Sequence, residues 1–156
     1  MMMEGAMLMD RFRDIAGTVD LLDTATVAAR LGIALADRKL DHPGRDEFDG
    51  PGGGVVRAVL LTQFPRSTND VAWLALHFVI GTPREEIAPL EPLMVRENLV
   101  SHVLDVPFEG AAELDFCRWR VGRHLFSLTT RVEDDGSRLL LGASLGQFRD
   151  DQRCIP

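Results

Sequence analysis

The sequence predicts an α+β protein: N-terminal helices plus a five-stranded antiparallel sheet with a middle helix, in the order α-β-β-α-β-β-β, packed as a two-layer sandwich. Three observations predict it. Apolar residues recur at three-to-four spacing as far as Leu31, then change to strand-like runs from Val55. Turn residues separate those runs at short intervals. The last three runs are joined by Gly122-Arg123 and Asp135-Gly136, and such short connections favour antiparallel neighbours.

The elements follow in order. Residues 1–7 are expected as a disordered tail, and 8–148 as one domain. Leu8, Phe12, Ile15 and Val19 mark a first helix. DTATVAARLG marks a second, with Asp23 or Thr24 as its cap and Gly32 closing it. Gly17 marks the break between them. Residues 41–54, DHPGRDEFDGPGGG, are acidic and Gly-rich and read as a flexible hinge before the sheet. VVRAVLLTQF (55–64) and VAWLALHFVI (71–80) read as strands, with PRSTND turning the chain between them. Both are nearly continuous apolar runs, which suits strands covered on both faces or central in the sheet. Pro92 suits the first turn of a helix running to about Leu104, with Leu93, Val100 and Leu104 as its stripe. Then come LDFCRWRV (114–121), HLFSLTTRV (124–132) and SRLLLGASL (137–145). Asp135-Gly136 is the strongest hairpin signal in the chain. On the middle strand Phe126, Leu128, Thr130 and Val132 share one face and Ser127, Thr129 and Arg131 the other. Residues 149–156 are expected as a second tail.

Composition narrows the function. A chain of 156 residues buries enough surface to fold without a metal or a disulfide. Its net charge of −7 weighs against binding nucleic acid or an anionic membrane, since both need cations to neutralise phosphates. No window approaches the ~18 apolar residues of a membrane-spanning helix. The opening MMMEGAMLMDRF carries Glu4 and lacks the apolar run of a signal peptide. Two cysteines, Cys117 and Cys154, make no disulfide framework, so the reducing cytoplasm is the expected compartment.

Motif by motif, chemistry is not evident. The acids at 41, 46, 47 and 49 around His42 lack the spacing of a calcium loop, and one histidine is too little for zinc. GPGGG leads into a strand rather than a helix, so its amides do not converge on a phosphate. GASLG (142–146) matches G-x-S-x-G, but a nucleophile elbow needs a helix after the serine and a later histidine. The last histidine, His124, precedes Ser144. His77 lies in an apolar run and reads as a core residue. TATVAARLGI resembles the first helix of a helix-turn-helix, but ALADRKL after it is short and nearly neutral for a recognition helix. No catalytic residue, cofactor or metal ligand is therefore assigned.

Two groups of residues stand out as binding candidates. Arg118 and Arg120 share a strand face, with Arg123, Arg131 and Arg138 on neighbouring strands. Together they suit a carboxylate, a phosphate or an acidic partner. Glu113, Asp115, Glu133 and Asp134 lie close in sequence and offer ion pairs instead. Trp119, Cys117 and Val121 fall on the opposite face. The second candidate is a pocket between the sheet and the helix at 92–104, with His102 and Asn98 as its polar groups.

The order of elements is similar to that of PAS-like and profilin-like domains, and small acidic secretion chaperones also combine a helix with an antiparallel sheet. The resemblance is one of architecture, and fold does not imply function. The leading expectation is a non-enzymatic protein-binding module, whether adaptor, chaperone-like or inhibitory, acting as a homodimer with a protein partner. Its motive is the surplus apolar surface of two strands that few helices can cover. The alternative is a small-ligand sensory domain for an anionic metabolite.

Overall fold

The computed structural model describes residues 5–66, 70–106 and 112–148. The tail expected over 149–156 and the first residues of the other, 1–4, lie outside the described residues. Helices α1 (Gly5–Ile15) and α2 (Thr24–Leu31) open the fold, so the expected tail is already helical from Gly5. Among the described residues eight strands follow: β1 (Ala36–Asp37), β2 (Asp46–Gly53), β3 (Val56–Gln63), β4 (Ala72–Phe78), β5 (Leu99–Asp105), β6 (Glu113–Val121), β7 (His124–Val132) and β8 (Arg138–Gln147). Two 3₁₀ segments, η1 (Arg84–Leu93) and η2 (Arg96–Asn98), lie between β4 and β5.

The strands form one antiparallel sheet in the order β1-β2-β3-β4-β8-β7-β6-β5. It is two four-stranded meanders joined where β4 pairs β8, with Leu74 opposite Leu145. The expected five-stranded sheet with a middle helix is thus corrected to eight strands, though the α+β class with an antiparallel sheet holds.

Three strands account for the difference. β5 takes up the second half of the stretch read as a helix over 92–104, and the end of η1 and η2 the first. Pro89 and Pro92 carry no N–H for an α-helical ladder, so η1 stays a series of tight 3₁₀ turns. Past η2 the chain pairs with β6, His102 opposite Cys117 and Leu104 opposite Asp115. Leu93, Val100 and Leu104 match a helical stripe by coincidence.

β2 replaces the hinge from Asp46 onward, pairing with β3 from Asp46–Gln63 to Gly53–Val56. Its glycines serve close approach rather than mobility. A Cβ on Gly52 would collide with the Val56 carbonyl. One on Gly50 would lie 2.8 Å from the Ile33 side chain. β1 is a two-residue addition at the outer edge of β2.

The helices lie on one face of the sheet, called here the inner face. Asp23 caps α2 by accepting the Thr26 N–H at 3.1 Å, and Gly32 ends it at φ +71°. Leu8, Met9, Phe12 and Ile15 of α1 are fully buried with Val59, Leu61, Leu74, Leu76 and Leu145 of the strands. Each such side chain stabilises the fold by about 1.5–3 kcal/mol. Phe12 meets Phe126 edge-on at 6.4 Å, and Trp119 stacks on Phe126 at 5.6 Å. Ile87 and Leu90 of η1 join this core.

Candidate functional site

The sheet presents three features with binding potential: a half-apolar outer face, an unpaired edge at β5, and a cavity on the inner face beside that edge.

The outer face carries the alternate residues of the same strands. None of the described helices lies on it. At its centre is a groove of about 410 Å³ lined by Trp73, Phe116, Arg118, Ser127, Ser144 and Phe148, among others. Trp73 sits edge-on between Phe64 at 5.3 Å and Phe148 at 6.1 Å. Ser144, the serine of G-x-S-x-G, is therefore one small residue on a strand facing this groove, with Ala75 opposite.

The five arginines do not share one face. Arg118 lines the groove, and Arg120 and Arg131 follow it on the outer side by strand alternation. Arg131 is held by Glu133 at 2.9 Å. Arg123 sits in the two-residue turn after Gly122, which adopts φ +54°. Arg138 points to the inner face, where it pairs closely with Asp115. Sequence alternation alone could not place Arg138, because a register shift at Thr129–Thr130 separates it from the regular part of β7–β8.

The edge differs from its counterpart. β5 runs seven residues and, among the described residues, has no partner on its far side. Leu99, Val103, Leu104 and the following Val106 are all exposed, Leu104 at 55%. At the opposite edge, β1 spans two residues and is flanked by the Arg38–Glu47 ion pair at 2.8 Å.

The inner cavity, of about 360 Å³, is lined by Arg84, Met94, Asp115, Cys117, Trp119, Leu128, Thr130 and Arg138. From the stretch 92–104, which forms 3₁₀ turns and a strand instead of the expected helix, Met94 lines it. His102 joins it through Asp115, whose Oδ1 is 2.7 Å from Nε2. Asn98 does not line it. Burial first, then the neighbouring Asp115 carboxylate, pushes the Cys117 thiol up to about 11.

A further polar cluster lies at the other end of the sheet. Gln147 Oε1 accepts the Leu21 N–H at 2.7 Å, and its Nε2 donates to Asp20 at 2.7 Å and to the Asp70 carbonyl at 3.1 Å. Gln63 donates to the Leu21 carbonyl and the Thr24 hydroxyl, both at 2.9 Å. His124 is fully buried, and its Nδ1 accepts the Gly17 N–H at 2.7 Å. An accepting Nδ1 puts the ring proton on Nε2 of a neutral imidazole. Burial accordingly lowers its pKa, against the opposing pull of the Val19 backbone. The cluster fastens the α1–α2 connection to the sheet.

Sequence reasoning missed both the grouping of His102 with Asp115 and Cys117 and the Gln63–Gln147 cluster. The first had half a signal, since Asp115-x-Cys117 on a strand puts two ligands on one face; the second had none before the loop docks. The chain matches no protein-family model, no curated protein and no solved structure.

Proposed function

We propose that the protein is a non-enzymatic protein-binding module that pairs through the edge of β5, with a second copy of the same chain as its first partner. The observation that carries this reading is the seven-residue open edge with Leu99, Val103 and Leu104 exposed. A long apolar edge is a template for another strand, and proteins that do not use such an edge blunt it. The other edge is blunted by a very short strand and its ion pairs. β5 carries one charge, Asp105. In a twofold antiparallel pairing Asp105 falls opposite the start of the partner strand and clear of its twin. A parallel pairing would stack like charges, so the antiparallel form is the one expected.

The sensory alternative draws support from the inner cavity, with Arg84 and Arg138 in its wall. Asp115 counts against it, because this carboxylate occupies Arg138 and repels an anion. In the reducing cytoplasm, the compartment proposed for the chain, Cys117 remains a thiol.

The test is the oligomeric state. Size-exclusion chromatography with light scattering should give a dimer at micromolar concentration. The V103K/L104K double variant should be a monomer that still unfolds cooperatively, with a melting temperature that no longer rises with protein concentration as that of the native dimer should. A native chain that stays monomeric across the micromolar range refutes pairing through β5.

A further inference from the structure

Antiparallel pairing of β5 with β6 sets His102 directly opposite Cys117. Asp115 lies two residues along β6, on the same face. The three side chains converge on a small volume. Cys117 Sγ is 3.5 Å from Asp115 Oδ1, the oxygen that His102 Nε2 also meets. All three ligand atoms lie within 4.8 Å of one another. An imidazole nitrogen, a carboxylate oxygen and a thiolate sulfur are the three donor types that zinc takes from proteins.

We propose that His102, Asp115 and Cys117 form a three-ligand site for a divalent transition-metal ion, zinc first among them, with a further position open to the inner cavity. Around a tetrahedral zinc, ligand atoms stand about 3.3–3.6 Å apart, given metal–ligand bonds of about 2.0–2.3 Å. The sulfur–oxygen separation already matches. The imidazole must withdraw by roughly half an ångström as the ion replaces its hydrogen bond. His102 has that freedom, being half exposed on an edge strand. The cavity walled by Asp115 and Cys117 has room for a water or an anion as fourth ligand.

The surroundings set both the orientation and the limits. Arg138 holds Asp115 by Oδ2, which leaves Oδ1 for the ion, the kind of outer contact that orients a ligating carboxylate. Arg84 lines the same cavity, so two guanidinium groups oppose the incoming charge. A thiolate and a carboxylate together neutralise a divalent ion. Binding expels one proton, from the Cys117 sulfur to solvent; a neutral His102 moves its own proton from Nε2 to Nδ1 and keeps it. No electron is transferred. The carboxylate and imidazole make the site harder than a thiolate-only site, which favours zinc over Cu(I).

Cobalt titration of the reduced, chelator-treated full chain tests this directly. Co²⁺ should produce a near-ultraviolet thiolate-to-cobalt band that saturates at one ion per chain, and Zn²⁺ should bleach it. The band should vanish in Cys117→Ser, persist in Cys154→Ser, and need at least about tenfold more cobalt in His102→Ala. Thermal melts of the metal-free variants establish that each is folded, and a folded Cys117→Asp provides a second ligand change that must also abolish the band. The absence of a thiolate band at millimolar Co²⁺ overturns the proposal. So does a band that survives Cys117→Ser or disappears with Cys154→Ser. These readings do not depend on whether the chain is a monomer or a dimer, so this site and the β5 pairing stand or fall separately.

Discussion

Replacing Gln147 by leucine removes the central tie between the sheet and the α1–α2 connection while keeping the side-chain size. Gln147 is buried, and its carbonyl is the acceptor for the buried Leu21 N–H. Leucine leaves that donor orphaned, at about 1–3 kcal/mol. The bond to Asp20 is charge-assisted, but Asp20 is exposed and regains water, so its loss adds on the order of 0.5 kcal/mol. The bond to the Asp70 carbonyl adds about as much. The expected loss is therefore about 2–4 kcal/mol. Equilibrium urea unfolding, followed by the fluorescence of Trp73 and Trp119, measures it. Gln63→Leu supplies the control, because Gln63 grips the Leu21 carbonyl from β3 while Gln147 grips the N–H from β8. Once one grip is lost the loop loosens, and the second loss costs less. The double variant should fall short of the sum of the single losses by more than the ~0.5 kcal/mol within which independent sites add. A loss below about 1 kcal/mol for Gln147→Leu, or strict additivity, refutes the shared anchor.

Two further outcomes follow from the same region. Burial lowers the pKa of His124, whereas in the unfolded chain it titrates near its ordinary 6.5. Stability should therefore be full above about pH 7 and decline as pH falls below 6.5, by at most about 1.4 kcal/mol per unit, because the unfolded chain takes up a proton that the native one refuses. Denaturation curves across this range should show the decline in the native chain and a flatter profile in His124→Asn, whose Oδ1 can still accept the Gly17 N–H; identical slopes refute the assignment. Gly122→Ala should cost more than Gly136→Ala. Both have positive φ, but the new Cβ at 122 would stand 2.6 Å from the Gly17 carbonyl oxygen, while at 136 nothing lies within 4 Å. Backbone conformation alone costs about 1–2 kcal/mol at either, so a Gly122→Ala loss no larger than that of Gly136→Ala would deny the close approach.

Strands were legible where the pleat was written in the side chains. HLFSLTTRV alternates, and β7 follows it from His124 to Val132. Asp135-Gly136 announces its hairpin, with Glu133 N–H bonded to the Ser137 carbonyl at 2.8 Å. β2 was hidden because Asp, Gly and Pro disfavour strands in general, although here the glycines admit Ile33 and the Val56 carbonyl. β5 was hidden because LVSHVLD alternates poorly, being apolar toward both faces and exposed on both. That same misreading concealed the site. With 92–104 as a helix, His102 has no strand partner, and only pairing to β6 brings it to Cys117. Local sequence carried the Asp115–Cys117 half of the trio, and long-range register carried the rest.

The two ends of the sheet are built to different rules, and the difference is what the proposed pairing through β5 draws on. Around β3, β4, β7 and β8, apolar side chains pack under α1, and Gln63, Gln147 and His124 fasten the loop that joins the helices. That end has little freedom to rearrange. Among the described residues β5 is held by one neighbouring strand; it has mostly exposed side chains and is reached through a 3₁₀ segment that two prolines keep from becoming a helix. Segments with few buried contacts open most readily, and binding elements are drawn from them. A strand that remained open only because nothing had evolved to cover it would be expected to carry the Lys, Pro or inward charge that discourages pairing. β5 carries no Lys and no Pro, and beside His102 and its one charge, Asp105, its exposed side chains are Leu99, Val103 and Leu104. Under the proposed pairing, another chain covers this edge and removes the aggregation hazard that exposed leucine and valine on an open strand present.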